Sequence, residues 1–221
     1  MQNARVDLYR RIHKAIRLLL ANLGARAAAT DFAAAEELAA LREETEDAFR
    51  LLASHAHHEE TLMRPHLEGR GNDLGPRLST SHADQEAQME GLSRRLAAID
   101  PGAPNADAQG HAFVLALSRF TAELLDHMAD EEDLANPILW RALDDAALLA
   151  MQGGIMASTP PAEMATWRRL MIPAMSAPER AQLFEAMRAT APKEALEGAI
   201  AIARETLSPA AFATLARALG L

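Results

Sequence analysis

The sequence predicts an all-α protein: an up-down-up-down four-helix bundle followed by a C-terminal extension of short helices. Three observations carry this. Nearly half of the 221 residues are apolar, yet aromatics make up only 4%; Ala and Leu dominate, whereas the residues that favour strands are β-branched and aromatic. Apolar residues recur at alternating three- and four-residue steps along four separate stretches. The breaks between those stretches are short, and short connections join neighbouring helices antiparallel.

The first stripe is Val6, Tyr9, His13, Ile16, Leu20, Leu23, running into Gly24 as a stop or kink. The second is Leu38, Leu41, Thr45, Ala48, Leu52, His55, Glu59, Leu62, His66, with Asp31 as a cap upstream and Gly69 to Asn72 as its end. The third, Leu78, His82, Gln85, Met89, Leu92, Leu96, Ile99, is closed by the loop "DPGAPNADAQG". The fourth is Phe113, Leu117, Phe120, Leu124, His127, Glu131, Leu134, Ile138. Pro65 and Pro137 sit near the ends of the second and fourth stripes, where proline kinks or terminates a helix.

From about Met151 the chain becomes rich in methionine and proline, which places the boundary between a bundle over residues 1–148 and an extension over 149–221. "SAPE" (Ser176 to Glu179) is a capping box, and Ser208-Pro209 opens a helix that Gly220 closes, so three or four short helices are expected. This extension packs across the bundle, or offers a surface to a protein partner or to a second copy.

Composition narrows the partners. A formal charge of −9 opposes a nucleic-acid backbone or an anionic membrane, and no apolar run reaches membrane-spanning length. The absence of cysteine excludes disulfides and thiolate chemistry and fits a reducing compartment. With no small-residue cleavage site near the start, a cytoplasmic protein is expected.

Histidines and glutamates stand where core residues belong. In an up-down bundle, the early parts of the first and third helices meet the late parts of the second and fourth. His13, His55, Glu59, His82, His127 and Glu131 therefore gather at one end of the core. Burying ionised carboxylates costs several kcal/mol each unless something cationic compensates, and a pair of metal ions does so. Residues four apart share a helix face, so His55 with Glu59, His82 with Glu86 and His127 with Glu131 each offer a nitrogen and an oxygen to one point. His13 completes a set of seven donors, His13, His55, Glu59, His82, Glu86, His127 and Glu131. Mixed imidazole and carboxylate donors suit iron, manganese or zinc.

The motifs "RIHKAIR", "HAHHEETLMRP", "SHADQE" and "DHMADEEDLANPIL" occur in the order that resembles the hemerythrin-like, or HHE cation-binding, family over residues 1 to 145. The resemblance implies a four-helix bundle around a non-haem di-iron centre with an oxo or hydroxo bridge. It matches His13, His55, His82 and His127 to ligand histidines, and Glu59 and Glu131 to bridging carboxylates. Two departures stand out. Oxygen-carrying members have a histidine where this chain has Glu86, and an aspartate five residues after the last ligand histidine where this chain has Glu131 after four. A harder, more anionic set favours the ferric state. The expected function is therefore a di-iron protein that senses or reacts with oxygen, nitric oxide or peroxide. The alternatives are a di-iron enzyme for peroxide dismutation, nitric oxide reduction or iron-centre repair, and a metal-free scaffold whose tail binds another protein. No catalytic residue is assigned.

Overall fold

The computed structural model describes residues 5–69 and 73–220; the expected helix stop at residues 70–72 lies outside them. Those residues form α-helices and no strand, and no helix among them is long and apolar enough to cross a membrane. The four long helices of the bundle are α1 (Arg10–Ala29), α2 (Ala35–His58), α3 (Leu74–Ala97) and α4 (Ala106–Asp130). Six shorter ones follow: α5 (Asn136–Ala142), α6 (Asp145–Ser158), α7 (Pro161–Ala174), α8 (Ala177–Thr190), α9 (Lys193–Thr206) and α10 (Pro209–Leu219). By its internal contacts the chain divides into two compact units, Met1–Tyr9 with Leu19–Ile155 and Arg10–Leu18 with Met156–Leu221.

Several local expectations shift. α1 runs through Gly24 to Ala29. A glycine in a helix interior costs only about 1 kcal/mol, less than the burial of the flanking Leu20, Leu23 and Ala27 returns. Val6 and Tyr9, expected in the first helix, precede it. They lie in a strap held by Arg5, whose guanidinium donates to the carbonyls of Trp140 and Leu143 and pairs with Asp145, all at 2.7 Å. The indole N–H of Trp140 returns a bond to the Val6 carbonyl at 2.7 Å. Asp31 does not cap α2 directly; its carboxylate accepts from the Ala33 N–H at 2.9 Å and shapes the turn before the helix.

The end of the bundle opposite the histidines is locked by close packing and by carbonyl capping. Phe32 lies against α4 so tightly that a Cβ on Gly110 would sit 2.0 Å from its ring. Arg42 of α2 donates to the carbonyls of Leu96, Ala97 and Ile99, satisfying acceptors that the end of α3 leaves open. Midway, the rings of Phe49 and Phe120 meet edge-on with centroids 5.7 Å apart. At the histidine end, Leu8, Tyr9, Met63, Leu67, Leu78, Ile138, Leu139 and Leu148 form a separate apolar plug.

In the second unit, each short helix starts from a proline or a serine cap. Ser176 and Glu179 form the expected capping box, and Glu179 also takes Lys14 at 2.6 Å. Burial opposes the charge of Glu179, but the lysine and the bonds from Ser176 bring its carboxyl down to about 2. Phe184, Ile172, Met175, Met187, Ile202 and Leu215 fill the core of this unit.

Candidate metal centre

The two carboxylates enter the core by the same local device. Neither α2 nor α4 ends as a regular helix; each widens into one π-helical turn that begins at the glutamate, Glu59–Met63 after α2 and Glu131–Ala135 after α4. The Glu59 carbonyl accepts from the Arg64 N–H, and the Glu131 carbonyl from the Asn136 N–H, each five residues on. In both helices a proline stands six residues beyond the glutamate, Pro65 and Pro137. Proline offers no N–H to the preceding turn and its ring pushes away the carbonyl four residues back, so the turn before it opens. π-turns of this kind concentrate at functional sites.

The widening slips the helical phase by one residue. Periodicity puts Leu62, His66 and Leu134 on the buried stripes; Met63, Leu67 and Ala135 are buried instead, and Leu134 is exposed. The slip leaves Glu59 and Glu131 at the last inward position before the apolar plug, with Glu131 only 1% exposed.

Donor atoms converge around them. Glu59, His82, His127 and Glu131 each place one ligand atom within 4.8 Å of all the others. His82 Nε2 lies 2.9 Å from His127 Nε2, 3.3 Å from Glu59 Oε2 and 3.7 Å from Glu131 Oε1. His127 Nε2 is 3.2 Å from Glu131 Oε1, and His55 Nε2 is 3.0 Å from Glu59 Oε1. Bonds of about 2.1 Å to a six-coordinate ion set adjacent donors about 3 Å apart, so these are the edge lengths of a coordination shell. Imidazole nitrogens and carboxylate oxygens in this mixture suit iron, manganese or zinc.

The pattern of the hemerythrin HHE cation-binding domain matches residues 4–139. The chain belongs to this family. No curated protein and no solved structure matches it. The buried His/Glu cluster of this hemerythrin-like bundle fits the cation site that the family's description names.

The other expected donors divide. His13 is fully buried on α1. Glu86 is exposed and falls outside the groups of potential metal ligands found among the described residues. α3 remains a regular helix here, and its buried stripe passes from His82 through Gln85 to Met89; four residues on from His82, position 86 has rotated off that stripe. His57 and His111 are exposed.

Two neighbours of the centre were not legible in the sequence. Glu60 takes His82 Nδ1 at 2.8 Å, accepts from Ser79 Oγ at 3.0 Å, and forms an ion pair with Arg64, whose Nε lies 2.8 Å away. A carboxylate on Nδ1 keeps the proton there and turns the Nε2 lone pair toward the centre. Tyr9, the one tyrosine of the chain, is 1% exposed and shares a cavity of about 10 Å³, the size of one water, with Glu59, His82 and Glu131. Burial first, then the charges of Glu131, Glu59 and Asp7, raises its phenol well above the ordinary value, so it holds its proton.

Electrostatics identify what balances the carboxylates when no metal is bound. Burial by itself would lower the pKa of His82, but bonding to Glu131 and Glu59, the charge of Glu59 and the bond to Glu60 together raise it from 6.5 to about 10. At neutral pH a proton on His82 supplies part of the positive charge that the buried glutamates require.

Proposed function

We propose that this hemerythrin-like bundle holds two iron ions, with the oxo or hydroxo bridge the resemblance implies, and reacts with or senses oxygen, nitric oxide or peroxide. The observation that carries the reading is the buried convergence of His82, His127, Glu59 and Glu131 on one point. In this reading His13, His55, His82 and His127 would hold the ions as terminal ligands, and Glu59 and Glu131 would be shared between them. Glu86, exposed on α3, acts at the approach to the centre.

Ferrous iron would supply single electrons to a bound ligand. The chain's own residues set the conditions for that exchange. Glu60 fixes the tautomer of His82, Tyr9 keeps a neutral donor on the plugged side, and Leu124, Phe120 and Met128 restrict water on the other. Anionic oxygen donors favour the ferric state, which weighs toward reaction or sensing over reversible carriage.

Protein loaded anaerobically with ferrous iron and desalted should retain about two ions per chain and develop a near-ultraviolet charge-transfer band in air. Retention below about one ion per chain, or no such band, would remove the di-iron reading.

A further inference from the structure

The donors line one wall of a cavity of about 390 Å³ held between α2, α3 and α4. His55, Glu59, His82, His127 and Glu131 line it, Leu52, Met89, Phe120 and Leu124, all buried, give it an apolar patch, and Glu60, Ser79 and Gln85 add further polar lining. Ala53 and Ala83 also line it and are exposed, beside the exposed His57 and Glu86, so the cavity opens between α2 and α3 with methyl groups at two of the positions on its border.

Size separates the classes of ligand. Two ions with a few waters, at about 30 Å³ per water, fill on the order of 150 Å³. What remains exceeds the roughly 150 Å³ apolar cavity that suffices for benzene, and a diatomic molecule would leave most of it empty. Charge selects further: the exposed Glu86 beside the opening and the carboxylates within disfavour an anion.

We propose that the cavity admits a neutral alkyl hydroperoxide with a tail of about four to six carbons, its peroxide group toward the histidines and its tail against Leu52, Met89, Phe120 and Leu124. This rests on the di-iron reading above. With ferrous iron held by these residues, a single reaction would break the O–O bond: R–O–O–H would take two electrons from the metal and two protons from solvent at the open side, giving R–OH and water and leaving the iron ferric.

Two measurements test it. In the first, zinc-loaded protein with ¹³C-methyl methionine is titrated with tert-butanol, an unreactive stand-in, and shifts of the Met89 and Met128 methyl signals are expected. In the second, ferrous protein is mixed anaerobically with hydrogen peroxide or tert-butyl hydroperoxide. The organic peroxide should oxidise the centre at a rate within about ten-fold of hydrogen peroxide. Ala83→Leu, at an exposed helix position where leucine is well tolerated, should lower the ratio of organic to hydrogen peroxide rates at least ten-fold. The proposal is overturned if hydrogen peroxide reacts while tert-butyl hydroperoxide is slower by more than a hundred-fold, if Ala83→Leu leaves the ratio unchanged, or if tert-butanol leaves both methyl signals in place. If neither peroxide oxidises the loaded centre, the di-iron reading fails instead, and the tert-butanol titration still decides whether the cavity takes an organic guest.

Discussion

In the proposed centre, His82 makes metal binding a competition between a cation and a proton. Its value of about 10 in the metal-free fold means that at pH 7.5 nearly every molecule carries the proton, which a coordinating nitrogen must lose. Binding should therefore release about one proton from His82 per chain, and apparent affinity should rise about ten-fold per pH unit between pH 6.5 and 8.5. The same residue governs metal-free stability. Because its folded value lies above the ordinary 6.5, its contribution is present in full below pH 6.5 and is lost as pH rises through about 10. At 1.36 kcal/mol per pH unit, that contribution is on the order of 5 kcal/mol. Calorimetric titration with zinc in buffers of different ionisation enthalpy reads the proton count, and urea denaturation of metal-free protein from pH 6 to 10 reads the stability. His82→Gln should flatten the stability profile and remove one proton from the release. No proton release, or a wild-type stability that does not fall between pH 7 and 10, would refute the reasoning.

Further predictions probe the parts that shape the centre. Pro137→Ala lets the π-turn close, and should raise metal-free stability by roughly 1 kcal/mol while lowering metal affinity at least about ten-fold; denaturation and a competition titration with a chromophoric chelator read the two effects. Glu60→Gln should cost about 10- to 100-fold in metal affinity, in the same chelator assay, with little change in the fold. Gly110→Ala drives a methyl into Phe32 and should destabilise by about 1–3 kcal/mol in urea, yet leave metal stoichiometry intact because it lies at the other end of the bundle.

The i, i+4 pairs were legible in the sequence because four residues on a regular helix bring His55 to Glu59 and His127 to Glu131. Periodicity misplaces the turns beyond those pairs because proline acts upstream of itself. Pro65 and Pro137 read as ends of stripes, but their shared spacing from Glu59 and Glu131 was the signal for a widened turn, and with it for Met63 and Ala135 in place of Leu62 and Leu134. The same i, i+4 rule pairs Glu86 with His82, but Gln85 holds the buried stripe there and Glu86 is exposed. Glu60 and Tyr9 escaped for a different reason. Their roles arise from contacts between distant segments, Glu60 with His82 across 22 residues and the strap before α1 against the plug, and helix periodicity carries no information about such pairs.

X-ray absorption at the iron edge of the anaerobically loaded protein tests the centre most directly. The proposed di-iron centre predicts a first shell of nitrogen and oxygen near 2.0–2.2 Å, with the outer-shell pattern of several imidazoles and an iron neighbour within about 4 Å. A shell of oxygens alone, with no imidazole pattern and no second iron, would contradict it.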